Sequence, residues 1–333
     1  MHCACCERRN HLPVKRPLKI TIFVLLGLVA VLVVGAGILV GPYYFRVQHF
    51  TADPSAGYHA DFYLYVSPAA KRAGREGGQV TILVQPNNSG THSDDVNLHR
   101  KDAWWTGCER YRIANELGVV LLVPAFVRPG TDWHIYTHAL DRDALTTTRT
   151  DLMRVDLQLI AMIDHARATL LAEGIEADAR VAIMGFSASG MFANRFTLLH
   201  PDRVKVAAIG SPGGWPVAPV RSFNGVDLPY PAGIADLEEL TGVAFDSVAY
   251  SAIPQMIYVG SLDDNDSLDF KDGWEPELAA RVDSLFGADP QARWEHAQAL
   301  YAGVTKAVTF VRVEGVAHER KKLQKMAVGF VKR

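Results

Sequence analysis

Met184-Gly185-Phe186-Ser187-Ala188-Ser189-Gly190 is the stretch on which the reading of this chain turns. It follows a run of β-strand composition, Arg180-Val181-Ala182-Ile183, and opens a segment with helical character that ends at His200-Pro201. A serine at so tight a strand-to-helix turn is held up at the tip of the strand. The residues two before and two after it must be small, or their side chains collide. Gly185 and Ser189 hold those positions. Glycine is the usual residue at both, so Ser189 is a mild departure. The short pattern recurs by chance in many proteins; the strand before it and the helix after it give it weight here.

Working outward, apolar runs alternate with helical stretches. Asp61 to Val66, Val80 to Val84 and Val119 to Pro124 have strand composition, with a polar, glycine-rich loop from Lys71 to Gly78. A helix is expected around Cys108 to Leu117. Another is expected over Asp151 to Leu171, with Leu152, Val155, Leu159, Met162 and Ile163 as its apolar stripe and Gly174 as its stop. Beyond the serine turn and helix 188–199, the chain predicts strands at Val204–Gly210, Gln255–Gly260 and Val308–Val313. A helix is expected over 290–302, and a terminal helix follows the last strand. Continuous apolar strands alternating with helices indicate a mostly parallel central sheet with helices on both faces. Residues 213–249 are rich in proline and glycine and interrupt the alternation, which suggests a small cap insertion over the site.

Serine at its ordinary pKa is a weak nucleophile; it needs a neighbouring base, and the base needs an orienting carboxylate. Strand 255–259 runs into Gly260-Ser261-Leu262-Asp263-Asp264-Asn265-Asp266, and strand 308–313 runs into Glu314-Gly315-Val316-Ala317-His318-Glu319. Both an acid and a histidine therefore stand at the C-terminal ends of strands later than the one bearing Ser187. Asp263 is the favoured acid by its Gly-x-x-Asp offset, with Asp264 and Asp266 as alternatives. The acidic loop lacks the central glycine and terminal glutamate of an EF-hand loop, so no metal is expected there. Ser211-Pro212-Gly213-Gly214 also follows a strand end, but no helix continues it, and it reads as pocket wall.

With Gly-Phe-Ser-Ala-Ser-Gly, Gly-x-x-Asp and Gly-x-x-His in this order, the chain resembles the α/β-hydrolase superfamily over residues 61–333. The likeness is to the esterase branch that includes polyhydroxyalkanoate-depolymerase-like and feruloyl-esterase-like enzymes. The resemblance implies Ser187 as nucleophile, Asp263 as acid and His318 as base, with no cofactor and no metal. It also implies an oxyanion hole of two backbone N–H groups. One is expected at Ala188, directly after the nucleophile. The other is expected in the loop after strand 80–84, where many relatives carry His-Gly-Gly. This chain has Pro86-Asn87-Asn88-Ser89-Gly90 instead, so Asn87 and Asn88 are the candidates. Trp104, Trp105, Trp133 and Trp215 are expected in loops near the site edge, with Trp105, Trp133 and Trp215 as candidate substrate contacts. His134 and His138 are expected to line the pocket.

The N-terminal part has a different character. Leu18 to Val40 is apolar apart from Lys19, Thr21 and scattered glycines, long enough to cross a bilayer as a helix. Arg8, Arg9, Lys15, Arg16 and Lys19 crowd its N-terminal side, which predicts a cytoplasmic N-terminus and an extracytoplasmic C-terminal domain. The reading is a basic tail at 1–17 containing Cys3, Cys5 and Cys6, a signal anchor at 18–40, a connector at 41–60 and the hydrolase-like domain at 61–333. A cleavable signal peptide is the rival, although such apolar regions are usually about 7–15 residues long. Cys108 is alone beyond the anchor, so no disulfide framework forms there.

The composition, 49% hydrophobic and 21% charged over 333 residues, allows a large core, and a formal charge of −2 argues against a nucleic-acid partner. The expected partners are the membrane and a small-molecule, lipid or carbohydrate ester. The expected activity is a membrane-anchored serine hydrolase of carboxylic esters. A serine peptidase or acyltransferase would use the same residues, and a catalytically silent binding module of the same fold is the alternative from another class.

Overall fold

The computed structural model describes residues 16–88 and 90–333, leaving aside the side chains of 16–22, 30, 32, 33, 36, 38 and 39 in the first helix. The cysteine-bearing tail and Ser89 lie outside the described residues. Two compact units are present, Met1–Phe45 and Arg46–Arg333.

The first unit is built on α1 (Arg16–Tyr44), which contains the whole apolar run 18–40. Phe23, Val24, Leu25, Leu26, Leu28, Val29, Val31 and Val34 are exposed along it. Among the described residues, no helix is long and apolar enough to cross a membrane.

The second unit opens with β1 (Val47–Phe50), β2 (Phe62–Val66), α2 (Pro68–Arg75), β3 (Ile82–Val84), α3 (Val96–Leu117) and β4 (Val120–Pro124). It continues through α4 (Arg142–Thr146), α5 (Val155–Ala172), β5 (Val181–Phe186), α6 (Ala188–Leu199) and β6 (Val204–Gly210). After the short strands β7 (Ser222–Phe223) and β8 (Val226–Asp227) come α7 (Leu237–Thr241), α8 (Ser247–Ser251) and β9 (Gln255–Gly260). The chain closes with α9 (Pro276–Phe286), α10 (Pro290–Ala302), β10 (Val308–Val313) and α11 (Arg320–Val331).

The eight-stranded sheet runs in the order β1-β2-β4-β3-β5-β6-β9-β10. β2 is antiparallel to β1 and β4, and every other pairing is parallel. β4, β5 and β9 are buried along their whole length, as strands covered on both faces must be. Burying one Leu, Ile or Val side chain contributes about 1.5–3 kcal/mol, so these strands anchor the core.

Three differences from the sequence reading matter for the site. The segment read as a connector contributes β1, an edge strand held by β2, so the second unit begins at Arg46. Helix α3 starts at Val96, capped by the Asp95 carboxylate, which accepts from Asn97 N (2.9 Å). Trp104 and Trp105 therefore stand on a helix, not in a loop. Residues 213–249 fold as a small hairpin and two short helices. Their apolar side chains Trp215, Ala218, Leu228 and Ala232 join a core cluster with Leu278, Val282 and Phe286 of α9. The segment is thereby fastened to α9 by its own apolar residues.

Candidate active site

Ser187 sits between β5 and α6 with φ 62° and ψ −130°, a backbone conformation that costs a non-glycine residue about 1–3 kcal/mol. The surrounding structure holds it there. Ser187 N donates to Gly210 O (3.0 Å), and Met191 N donates to Ser187 O (2.9 Å). A Cβ on Gly185 would lie 1.9 Å from Ser189 O, and one on Gly190 would lie 2.3 Å from Gly210 O, so both glycines are obligatory. Ser189 is tolerated because its hydroxyl turns back on the elbow. It accepts from Phe186 N (3.0 Å) and donates to Phe186 O (2.9 Å). The departure from glycine is thus a brace across the turn.

Asp263 and His318 meet as their strand positions predict. His318 Nδ1 lies 3.0 Å from both carboxylate oxygens of Asp263. Asp263 is only 3% exposed. Burial alone would raise its pKa, but the His318 ring, the Ser211 hydroxyl and the Asn265 backbone N–H together hold it below the usual carboxylate value. The neighbouring acids are placed differently. Asp264 is exposed. Asp266 is bound by the fully buried Arg293, which also reaches Asp283 (2.5 Å). The His318 ring packs against Phe186, the residue before Ser187, with centroids 4.7 Å apart. The Ser187 hydroxyl makes no hydrogen bond among the described residues and is half-buried.

Ala188 is the first residue of α6, where helix N–H groups have no intrahelical acceptor. The two asparagines after β3 part company. Asn87 is fully buried; its amide donates to Phe126 O (2.9 Å), its carbonyl accepts from Phe126 N (3.2 Å), and it touches His138 Nε2 (3.0 Å). Its side chain ties the loop after β3 to the loop after β4. Asn88 is exposed, and its amide donates to Phe186 O (3.3 Å), which puts it against the Ser187 turn.

A cleft of about 420 Å³ opens beside His318. Asn88, Phe186 and His318 line it, with Trp105, Glu109 and Arg110 from α3 and Arg320 from the start of α11. None of its lining comes from residues 213–249, so the expected cap does not form its wall. Trp105 is the one candidate tryptophan in this lining; half exposed, it stands edge-on to Trp104. Trp133 is exposed in a turn next to His134. Trp215 is 1% exposed, stacks on Phe286 (4.5 Å) and donates its indole N–H to Ala232 O (2.9 Å), so it is a core anchor. His138 is buried behind Asn87 rather than at the cleft surface. No cluster of metal-ligating side chains occurs among the described residues.

Sequence reasoning missed Arg110, Glu109 and Arg320, which cross-link α3 to α11 beside His318. Arg320 donates to Glu109 (2.8 Å) and to Gln324 (3.0 Å), and Arg110 donates to the same Gln324 oxygen (2.9 Å). Nothing in the local sequence joins residues so far apart; only the folded sheet brings the two helices together.

No protein-family model matches the chain, and no curated protein matches it. Solved structures do. Poly(aspartic acid) hydrolase-1 from Sphingomonas sp. KT-1 superimposes with a TM-score of 0.56 at 19% identity, over 86% of this chain and 99% of that one. A poly(3-hydroxybutyrate) depolymerase from Bordetella parapertussis gives 0.49 at 18% identity, over 86% and 88%. An acetyl xylan esterase from Aspergillus awamori gives 0.48 at 15% identity, over 85% and 99%. The first likeness, with the strand order and the turn at Ser187, identifies the α/β-hydrolase fold.

Proposed function

We propose that the chain is a serine hydrolase of carboxylic esters acting through Ser187, His318 and Asp263. The observation that carries this reading is the strained Ser187 turn, whose Phe186 packs on a His318 ring held by the buried Asp263. His318 Nε2 takes the Ser187 proton as the hydroxyl attacks the ester carbonyl. Asp263 at Nδ1 keeps the imidazole in the tautomer that leaves Nε2 free and stabilises the imidazolium. The Ala188 N–H and a backbone N–H of the Asn88 loop stabilise the oxyanion, each worth about 3–4 kcal/mol. His318 then protonates the departing alcohol. Water, activated by the same imidazole, releases the acid from the acyl-enzyme.

The name of the Sphingomonas enzyme gives it a polyanionic substrate. In the cleft here, Glu109 and Asp102 offset Arg110 and Arg320, which supports a neutral ester. The proposal includes the anchor. The apolar run 18–40 and the basic residues before it support a retained signal anchor with the catalytic unit outside the cytoplasm.

The test is labelling of the full chain with a fluorophosphonate probe, alongside Ser187→Ala and His318→Ala. Labelling that needs both residues supports an activated serine; none in the folded wild type ends the catalytic reading. Alkaline carbonate extraction tests the anchor, which predicts that the protein stays in the membrane pellet.

A further inference from the structure

Ser211 follows β6, and β6 lies between β5, which bears Ser187, and β9, which bears Asp263. It is a serine in left-handed backbone conformation, φ 43°, fixed by its N–H donating to Tyr258 O (2.7 Å). The residue is 4% exposed, and its hydroxyl oxygen has no hydrogen-bond partner of good geometry, although it faces the Asp263 carboxylate. Backbone strain and an unpaired buried hydroxyl are both costly, and together they mark a built site.

Beside Asp263 is a small, partly open pocket of about 20 Å³, lined by Ser211, Asp263, Asn265 and Gln291 with Val259 and Trp294 among others. That is room for a single water, which needs roughly 10–15 Å³ and two to four polar partners. Gln291, in the first turn of α10, already clamps the acid loop. Its amide donates to Gly260 O (3.0 Å) and to Asp263 O (2.7 Å). Its own carbonyl oxygen, Oε1, is buried without a partner. Two orphan polar atoms therefore border a space of the size that one water fills.

We propose that Ser211 and Gln291 are positioning residues for Asp263, acting with one water bound between them. The water donates one hydrogen to Gln291 Oε1 and the other to Ser211 Oγ. Ser211 then turns its own proton to the Asp263 carboxylate. With His318 Nδ1 and Asn265 N, the Ser211 hydroxyl is the carboxylate's third donor, and the water holds it so that the carboxylate stays in the plane that faces the imidazole. Draining charge from the carboxylate moderates its pull on the imidazole proton. The inference rests on the proposed triad, but its geometry can be tested without turnover.

The decisive variant is Ser211→Gly, which accepts φ 43° without strain and removes only the hydroxyl. Gln291→Leu is the second, removing both the clamp and the acceptor. The first readout is the titration of the His318 imidazole by NMR in the full-length protein in detergent. Both variants are expected to raise its pKa by a few tenths of a unit or more, because a carboxylate with fewer donors holds the imidazolium more tightly. The second readout is the pH profile for a small activated ester. Here kcat is expected to fall about tenfold with KM within twofold, and the acid limb is expected to move to higher pH. An unchanged His318 titration in Ser211→Gly overturns the positioning role, whatever the enzyme does. Absent fluorophosphonate labelling in the wild type, with the titration shifted in the variants, overturns the catalytic reading and leaves the positioning geometry standing.

Discussion

Neighbouring strands β5 and β6 end in the same way and serve different ends. Each is followed by a serine in left-handed backbone conformation, Ser187 at φ 62° and Ser211 at φ 43°. After Ser187 the chain enters the 12-residue helix α6; after Ser211 it meets Pro212 and two glycines, Gly213 at φ 63° and Gly214 at φ 79°. Ser187 is half-buried with a free hydroxyl, whereas Ser211 is buried beside Asp263. Strain at a strand tip thus does not make a nucleophile. What distinguishes the two in the proposed reaction is the helix start after Ser187, which offers N–H groups where an oxyanion would form, and the greater exposure of Ser187.

The sharpest way to break that comparison is to remove each hydroxyl. Ser187→Ala is expected to lower kcat on the order of 10⁴-fold or more and to abolish probe labelling, while Ser211→Ala keeps the labelling. Equal loss in both would mean that the two tips work as one. The acid at the tip of β9 comes next. Asp263→Asn is expected to cost about 10⁴-fold in kcat, because the amide favours the wrong imidazole tautomer, and Asp264→Asn to stay within twofold. Steady-state kinetics on one short ester separates them.

The turns themselves differ in rigidity. Gly185→Ala drives a Cβ to 1.9 Å from a backbone oxygen and is expected to destabilise by roughly 3 kcal/mol or more. At Gly213 the nearest atoms are side-chain ones, the Ser267 hydroxyl (2.3 Å), Met191 Sδ (2.7 Å) and Ser267 Cβ (2.8 Å), which can shift where a backbone oxygen cannot, so Gly213→Ala should cost less, about 1–3 kcal/mol. Chemical denaturation of the two variants orders them.

The smallest effect concerns pH. Asp141, buried at the start of α4, accepts from Tyr136 N (3.0 Å) and Ala144 N (2.9 Å), and burial pushes its pKa up to about 8. The unfolded chain releases that proton near pH 4 and the folded one near pH 8. Over this window the folded state binds more protons, so stability falls as pH rises. Thermal melts from pH 5 to pH 9 should show this decline, with a flatter course in Asp141→Asn, although that variant loses one acceptor. This differs from Asp156, held down to about 2 by His200 (2.8 Å) and Arg154 (2.8 Å) against its burial, whose contribution is lost only as the pH falls below about 4.

The parts legible in the sequence were those governed by local pattern. Strands β5 and β9 are largely apolar runs, while β6 and β10 carry Lys205, Thr309 and Arg312 among their apolar residues. Their tips bear Ser187, Ser211, Asp263 and His318, so the sheet and the approach of Asp263 to His318 had a local signal, with Asp264 and Asp266 separated from Asp263 only by the structure. β1 was not legible, because Val47-Gln48-His49-Phe50 is too short and too polar to declare itself; pairing with β2 makes it a strand. The first turns of α3 were hidden by the polar stretch from Asn97 to Asp102, although Asp95 was the capping signal. Trp215 was expected in a loop at the site edge, yet it turns inward onto Phe286. Gln291 gave no sign at all. It meets Asp263 across 28 residues of chain, and only the packing of α10 against the acid loop supplies that link.

Cys108 is buried on α3, with its thiol pushed above the ordinary cysteine value mainly by burial, and it is the sole cysteine from Arg46 onward. The fold of that unit therefore has no oxidation state. It neither waits for an oxidant to lock it nor comes apart under a reductant, and its one sulfhydryl is shielded from alkylating and oxidising reagents. The fold from Arg46 onward therefore depends on no disulfide.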